Sequence, residues 1–227
     1  MDRKYTILIV ILIAVSIIIG AGLFQFSQWK QESYESTYTY ELNIYTNRTD
    51  IDFSMIFPLA LKNNEAIIDE DTFQTQFEQQ ENWTVKFIDT RYGTMLQING
   101  ILTSERHDIT INLDSDERID TKKAVDKEPT LQPKENMTKS SYDDPHPEEW
   151  DERIDAYEYT SFIYVQLEEG ISADLSINPR FEGRNEWWVL GWSGNEYWDR
   201  IYLDIQYDEP GWYQGNGKIV DGLGNYD

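Results

Sequence analysis

The chain has 227 residues, a formal net charge of −23 and no cysteine. Disulfide stapling, cysteine zinc sites and thiol nucleophiles are therefore excluded, and so large a negative charge disfavours nucleic acid and anionic headgroups as partners. The length after the N-terminal segment is about that of one domain.

The first predicted element is a helix. Arg3 and Lys4 precede an uncharged, mostly apolar run over residues 5–24, followed by Glu32 and Glu35. Twenty helical residues rise about 30 Å, enough to cross the hydrocarbon core of a bilayer. Residues 1–27 are thus expected to be a membrane anchor, with the N-terminus cytoplasmic and the rest outside. A cleaved signal peptide is the alternative, with Gly20-Ala21-Gly22 as its small-residue site, but Leu23, Phe24 and Phe26 extend the apolar run past it. The segment before Ser27 carries a net charge of +1, which leaves −24 on the body.

Residues 28–113 read as the first half of a β domain. In "STYTYELNIYT", Tyr38, Tyr40, Leu42 and Ile44 alternate with polar residues, the pattern of a half-buried strand. "IDFSMIFPLAL" places Ile51, Phe53, Met55, Phe57 and Leu59 on one face, with Pro58 marking an edge or a strand end. "DEDTFQTQFEQQEN" sets Phe73 and Phe77 four residues apart behind acidic residues, which fits a short amphipathic helix laid on the sheet. "MLQINGIL" and "HDITINLD" supply two more strands.

Residues 114–153 lose this periodicity. They hold four prolines and many charges, and read as an acidic linker or long loop, with a short extended piece near Thr130-Leu131. Residues 154–227 resume the strand pattern. In all about ten strands are expected, separated by turns, which points to an all-β fold: an antiparallel β-sandwich, Ig-like in a loose sense, preceded by one transmembrane helix. One sandwich built from both halves, with the linker passing over its surface, is the simplest arrangement.

"NEWWVLGWSGNEYW", residues 185–198, holds four of the eight tryptophans. Gly194-Asn195 is a favoured hairpin turn. With that turn, Trp188, Leu190, Trp192, Tyr197, Ile201 and Leu203 share a core face. Trp187, Val189, Trp198, Arg200 and Tyr202 share the other, with Gly191 beneath Trp198. The rings of Trp187, Trp198 and Tyr202 beside Arg200 would suit stacking on a sugar, unless the linker or Trp150 covers them.

Three N-x-T sequons, at Asn47, Asn82 and Asn136, are glycosylation candidates. Asp114, Asp116 and Asp120 are weak calcium candidates, since Ile119 stands where an EF-hand loop needs glycine; the competing reading is a solvated acidic surface. No other cofactor is expected. His107 and His146 match no zinc spacing, and no G-x-S-x-G frames a serine, so no catalytic residue is nominated. A glycosidase carboxylate pair is not identifiable among 42 acidic residues.

The anchor "DRKYTILIVILIAVSIIIGAG", the acidic cysteine-free β body, the sequons and the opening strand "YTYELNIYTN" together give a plan that resembles uncharacterised single-pass archaeal surface proteins. The resemblance brings no known activity, so no functional residue is carried over. The expected role is a non-enzymatic one at the cell envelope: recognition, adhesion or assembly with a glycan or envelope protein partner. A carbohydrate-binding module is the second reading and a glycoside hydrolase the third.

Overall fold

The computed structural model describes residues 3–142, 154–188 and 191–226. It opens with helix α1, Arg3–Glu32. Lys30 in the last turn complements the negative end of the helix dipole. Ser33 ends the helix by donating its backbone N–H and its hydroxyl to the Trp29 carbonyl, at 3.1 and 2.7 Å. Side chains along α1 are described from Leu12 onward, except Ala14, so residues 5–11 of the apolar run lie outside. Among the described residues no helix is long and apolar enough to cross a membrane.

The body is all-β and antiparallel. Its strands are β1 (Glu35–Thr46), β2 (Ile51–Phe57), β3 (Leu59–Lys62), β4 (Glu65–Ala66), β5 (Thr84–Thr90), β6 (Gly93–Leu102), β7 (Arg106–Asp114), β8 (Thr130–Gln132), β9 (Glu135–Ser140), β10 (Asp155–Leu167), β11 (Ala173–Trp188), β12 (Trp192–Tyr207) and β13 (Gly211–Gly224). Helices α2 (Glu70–Glu81) and α3 (Ala124–Lys127) interrupt them. One ten-stranded sheet runs β5-β6-β2-β10-β13-β12-β11-β1-β7, with β9 also paired to β10. It curls into a half-barrel. A small sheet, β4-β3-β8, packs across it, β8 lying against β11 and β12. The two-layered, sandwich-like arrangement is therefore confined to where the small sheet covers the large one.

The alternation seen in the sequence builds this sheet. Tyr38, Tyr40, Leu42 and Ile44 of β1 are all buried, and their polar neighbours face outward. Ile51, Phe53, Met55 and Phe57 of β2 are buried likewise. At Pro58 the chain leaves the large sheet and enters the small one as β3. Strands from both halves of the chain interleave: β10 lies between β2 and β13, and β1 pairs with β11.

The main path of the sheet ends in two edge strands, β5 and β7, and α2 packs against both. Asp69 caps α2 by accepting the Thr72 N–H at 2.7 Å, and Asn82 closes it in the left-handed conformation. Phe73 and Phe77 are fully buried on its inner side. Its polar side chains pair with the sheet edges. Gln80 donates to the Thr110 carbonyl at 3.1 Å and accepts the Thr110 N–H at 3.2 Å. On the other edge, Gln74 accepts the Val85 N–H at 2.8 Å and Glu70 accepts the Phe87 N–H.

Residues 114–142 differ from the linker expected there, and residues 143–153 lie outside the description. Residues 119–134 turn inward, whereas β9 is exposed. Ile119, Thr121, Ala124, Thr130 and Leu131 are buried, and Leu131 joins the main core. The extended piece near Thr130-Leu131 is β8. The segment lacks apolar periodicity because its buried groups are satisfied one by one through hydrogen bonds, not by a repeating apolar face.

Phe77→Ala removes a fully buried ring from beneath the helix that spans both edges. It should cost about 3–5 kcal/mol, measured as a lowered midpoint in chemical denaturation. Gln80→Ala should cost roughly 1 kcal/mol, which would be read the same way.

Candidate functional site

The tryptophan hairpin does not turn at Gly194-Asn195. Trp188 pairs with Trp192, Trp187 with Ser193, Glu186 with Gly194 and Asn185 with Asn195. The strand pairing therefore ends at Trp188 and Trp192, and Val189 and Leu190 lie outside the described residues. Gly194 and Asn195 are engaged in the sheet: the Gly194 carbonyl accepts the Asn225 N–H at 2.8 Å, and Asn195 is buried.

This register pairs odd residues with odd ones and reverses the expected faces of β11. Trp187 turns inward and is 2% exposed, whereas Trp188 and Trp192, expected in the core, are 37% and 66% exposed. From Tyr197 onward the faces of β12 are as expected: Tyr197, Ile201 and Leu203 are buried, while Trp198, Arg200 and Tyr202 point outward. Glycine does lie under an aromatic ring, but at Gly183, where a Cβ would come within 2.3 Å of Tyr197. Gly191 has nothing near it.

Of the expected platform of Trp187, Trp198, Arg200 and Tyr202, only the last three share the outward face of β12. Trp198 is half-buried against Ala156, Val220 and Leu223. Arg200 lies 5.2 Å from the Tyr202 ring centre and donates a hydrogen bond to the hydroxyl of that residue.

The hairpin tip meets the end of α1. Tyr34 stacks on Trp187 with ring centres 5.7 Å apart and planes within 1°. Lys30 Nζ sits 4.8 Å from the Trp187 ring, and Arg118 lies 5.2 Å from that of Tyr34. Trp29 meets Trp188 edge-on at 6.2 Å, and the Trp188 N–H donates to the Ser33 hydroxyl at 2.8 Å. Trp29 and Trp188, with Trp192 paired opposite Trp188, are exposed near the end of the helix, and Leu23 and Phe24 are exposed on the helix itself.

Two buried polar groupings pin the 114–134 segment inside the half-barrel. In the first, Asn185 accepts from the Ser36 hydroxyl at 2.7 Å and from the Ile119 N–H at 3.1 Å, and donates to the Ile119 carbonyl at 2.9 Å and to Asn195 at 2.7 Å. Thr121 donates to Asn195 at 2.7 Å. In the second, the Asp199 carboxylate is 0% exposed and accepts from Tyr159, from the Leu131 N–H at 2.8 Å and from Lys134 Nζ at 2.8 Å. The Lys134 side chain is only 9% exposed. Tyr159 lies flat over Gly217, where a Cβ would stand 2.2 Å from the ring. Periodicity could not reveal these residues. The one available signal was Asp199 itself, a charge on the core-facing parity of β12.

Glu128 forms a third such contact. It accepts the Tyr38 hydroxyl at 2.8 Å, the Asp120 N–H at 2.8 Å and Lys62 Nζ at 3.1 Å.

His107 is buried in β7, with Nδ1 2.8 Å from Glu81 and Nε2 3.4 Å from the Ser104 hydroxyl. The order of groups is that of a nucleophile, base and orienter. However, Nε2 accepts the Ser104 backbone N–H at 3.3 Å, and the hydroxyl donates to the Arg106 carbonyl at 2.7 Å. The hydroxyl proton is thus directed away from the base, and the trio staples the β6–β7 turn to α2. His146 lies outside the described residues.

Asp114 ends β7, Asp116 is exposed and Asp120 is paired with Lys127 at 2.7 Å. Among the described residues no group of three or more acidic or histidine side chains is placed to hold a metal ion. The three sequon asparagines are exposed. Asn47 exchanges hydrogen bonds with Asp174, Asn82 caps α2 and Asn136 lies in β9.

Burial, and then the nearby Asp155, push the Asp221 carboxyl up to about 7. A carboxyl raised in the folded state contributes stability that is full below its ordinary value and is lost as pH rises through about 7. Unfolding midpoints across that window should fall with rising pH, and Asp221→Asn should flatten this decline. Comparison with models of known protein families, with curated proteins and with solved structures found no match to this chain.

Proposed function

We propose that this protein is an envelope component tethered by α1 to the cell membrane, with its acidic β body outside and a non-enzymatic role in recognition, adhesion or assembly. The observation that carries this reading is the junction between helix and body. The large apolar side chains described along α1 between Leu12 and Phe24 are exposed, and so are Trp29 in its last turns and Trp188 and Trp192 of the adjoining hairpin. Tryptophan and tyrosine favour the boundary between hydrocarbon and water, where the ring is sheltered and the polar edge stays wet. Arg3 and Lys4 at the far end of the helix favour a cytoplasmic N-terminus. The charge of −24 keeps the body in water, away from anionic headgroups.

The alternative glycan-binding reading retains one favourable observation, Arg200 stacked on the exposed Tyr202 beside Trp198. Trp187 lies on the opposite face and cannot complete that platform.

Alkaline extraction of membranes from cells expressing the full chain should leave the protein in the pellet. Protease added from outside should digest the body and spare an N-terminal tag. Release of the intact chain by alkali would refute the tether. In vesicles of lipids brominated near the headgroup, tryptophan fluorescence should be quenched, and Trp192→Phe should reduce that quenching; equal quenching in the variant would place Trp192 away from the interface.

A further inference from the structure

The Lys134–Asp199 pair is unusual in four ways that bear on one another. Both side chains are at least nine-tenths buried, with Nζ 2.8 Å from Oδ2. Tyr159 donates to the other carboxylate oxygen, Oδ1, and its ring lies 5.2 Å from Nζ. The Leu131 N–H donates to Oδ2. The chain holding this pair has no cysteine with which to cross-link itself.

The geometry points to a self-catalysed amide bond between Lys134 Nζ and Asp199 Cγ, a covalent cross-link from the segment between β8 and β9 to β12 in the middle of the sheet. Lys134 first passes a proton to Oδ2, giving a neutral amine beside a carboxylic acid. The nitrogen lone pair attacks Cγ, and the charge developing on Oδ1 is held by the Tyr159 hydroxyl. The nitrogen loses a second proton to Oδ2. The Cγ–Oδ2 bond breaks, one water leaves, and an amide remains. No oxidant, cofactor or energy source is consumed.

The surroundings favour each step. Burial pushes the Lys134 ammonium down, against the opposing pull of Asp199, which favours the free amine. Burial and the Asp199 charge push the Tyr159 hydroxyl well up, so it remains a donor throughout. Two charges held out of water carry a large desolvation cost, whereas the amide is neutral and its oxygen still accepts from Tyr159. Tyr159 is the catalytic residue of this reaction, because it touches the oxygen on which charge develops.

The test is the mass of the denatured full-length protein, followed by sequencing of its proteolytic peptides. The expected result is a chain lighter than its sequence by one water, with a branched peptide joining Lys134 to Asp199. Lys134→Met should restore the full mass, and Tyr159→Phe should leave a mixture of linked and unlinked chains. Asp199→Asn should give the same branched peptide with ammonia lost in place of water. An unlinked wild-type chain would overturn the proposal, as would a missing water traced to another residue, such as a succinimide at Asp221-Gly222. Because the readout is made on denatured protein, it is independent of the membrane reading.

Discussion

A sheet that curls without closing must solve two problems at once: an apolar concave face and two edges of unpaired backbone. In this protein α2 addresses both edges. Its phenylalanines fill the gap between the first and last strands, while Gln74, Gln80 and Glu70 occupy backbone positions where further strands would otherwise bond. Edge strands left bare recruit other chains, so these amide and carboxylate contacts also protect the molecule from pairing with its own copies. The remainder of the fold depends on this closure, because only a half-barrel of fixed curvature leaves an interior into which the 114–134 segment fits.

Much of that architecture was legible. The two-residue period of β1 and β2 identified the buried faces, and the i, i+4 phenylalanines located α2. These features are local and repeat. The hairpin is not legible because Gly194-Asn195 has the composition of a turn, yet Asn195 is bound by distant partners, Thr121 and the Asn225 carbonyl. A strand shifted by one residue exchanges its faces, so this single error moved Trp187, Trp188 and Trp192 to the wrong sides. The interior segment was misread for a related reason. Polar composition reads as surface, but Thr121, Glu128 and Asp199 are polar residues whose partners lie far away in sequence.

Those interior partners specify more than they stabilise. A buried amide or carboxylate is tolerated only in one arrangement, whereas apolar side chains accept many. Asn185 touches β1, β12 and the inserted segment together, and so fixes their relative positions. The outer surface carries pairs of a different kind, such as Arg180–Glu182 and Arg184–Glu186, each between neighbours on one strand. Such pairs add little to stability.

The junction between α1 and the body has a mechanical consequence. Only Ser33 and Tyr34 separate the helix from β1, and both are tied to β11, Ser33 through its hydroxyl, which accepts the Trp188 N–H, and Tyr34 by ring stacking on Trp187. No swivel is available there. The azimuth of the helix about its own axis therefore sets the compass heading of the whole sheet. Adding one residue to the last turn of α1 would turn the body by about 100° relative to the rest of the helix.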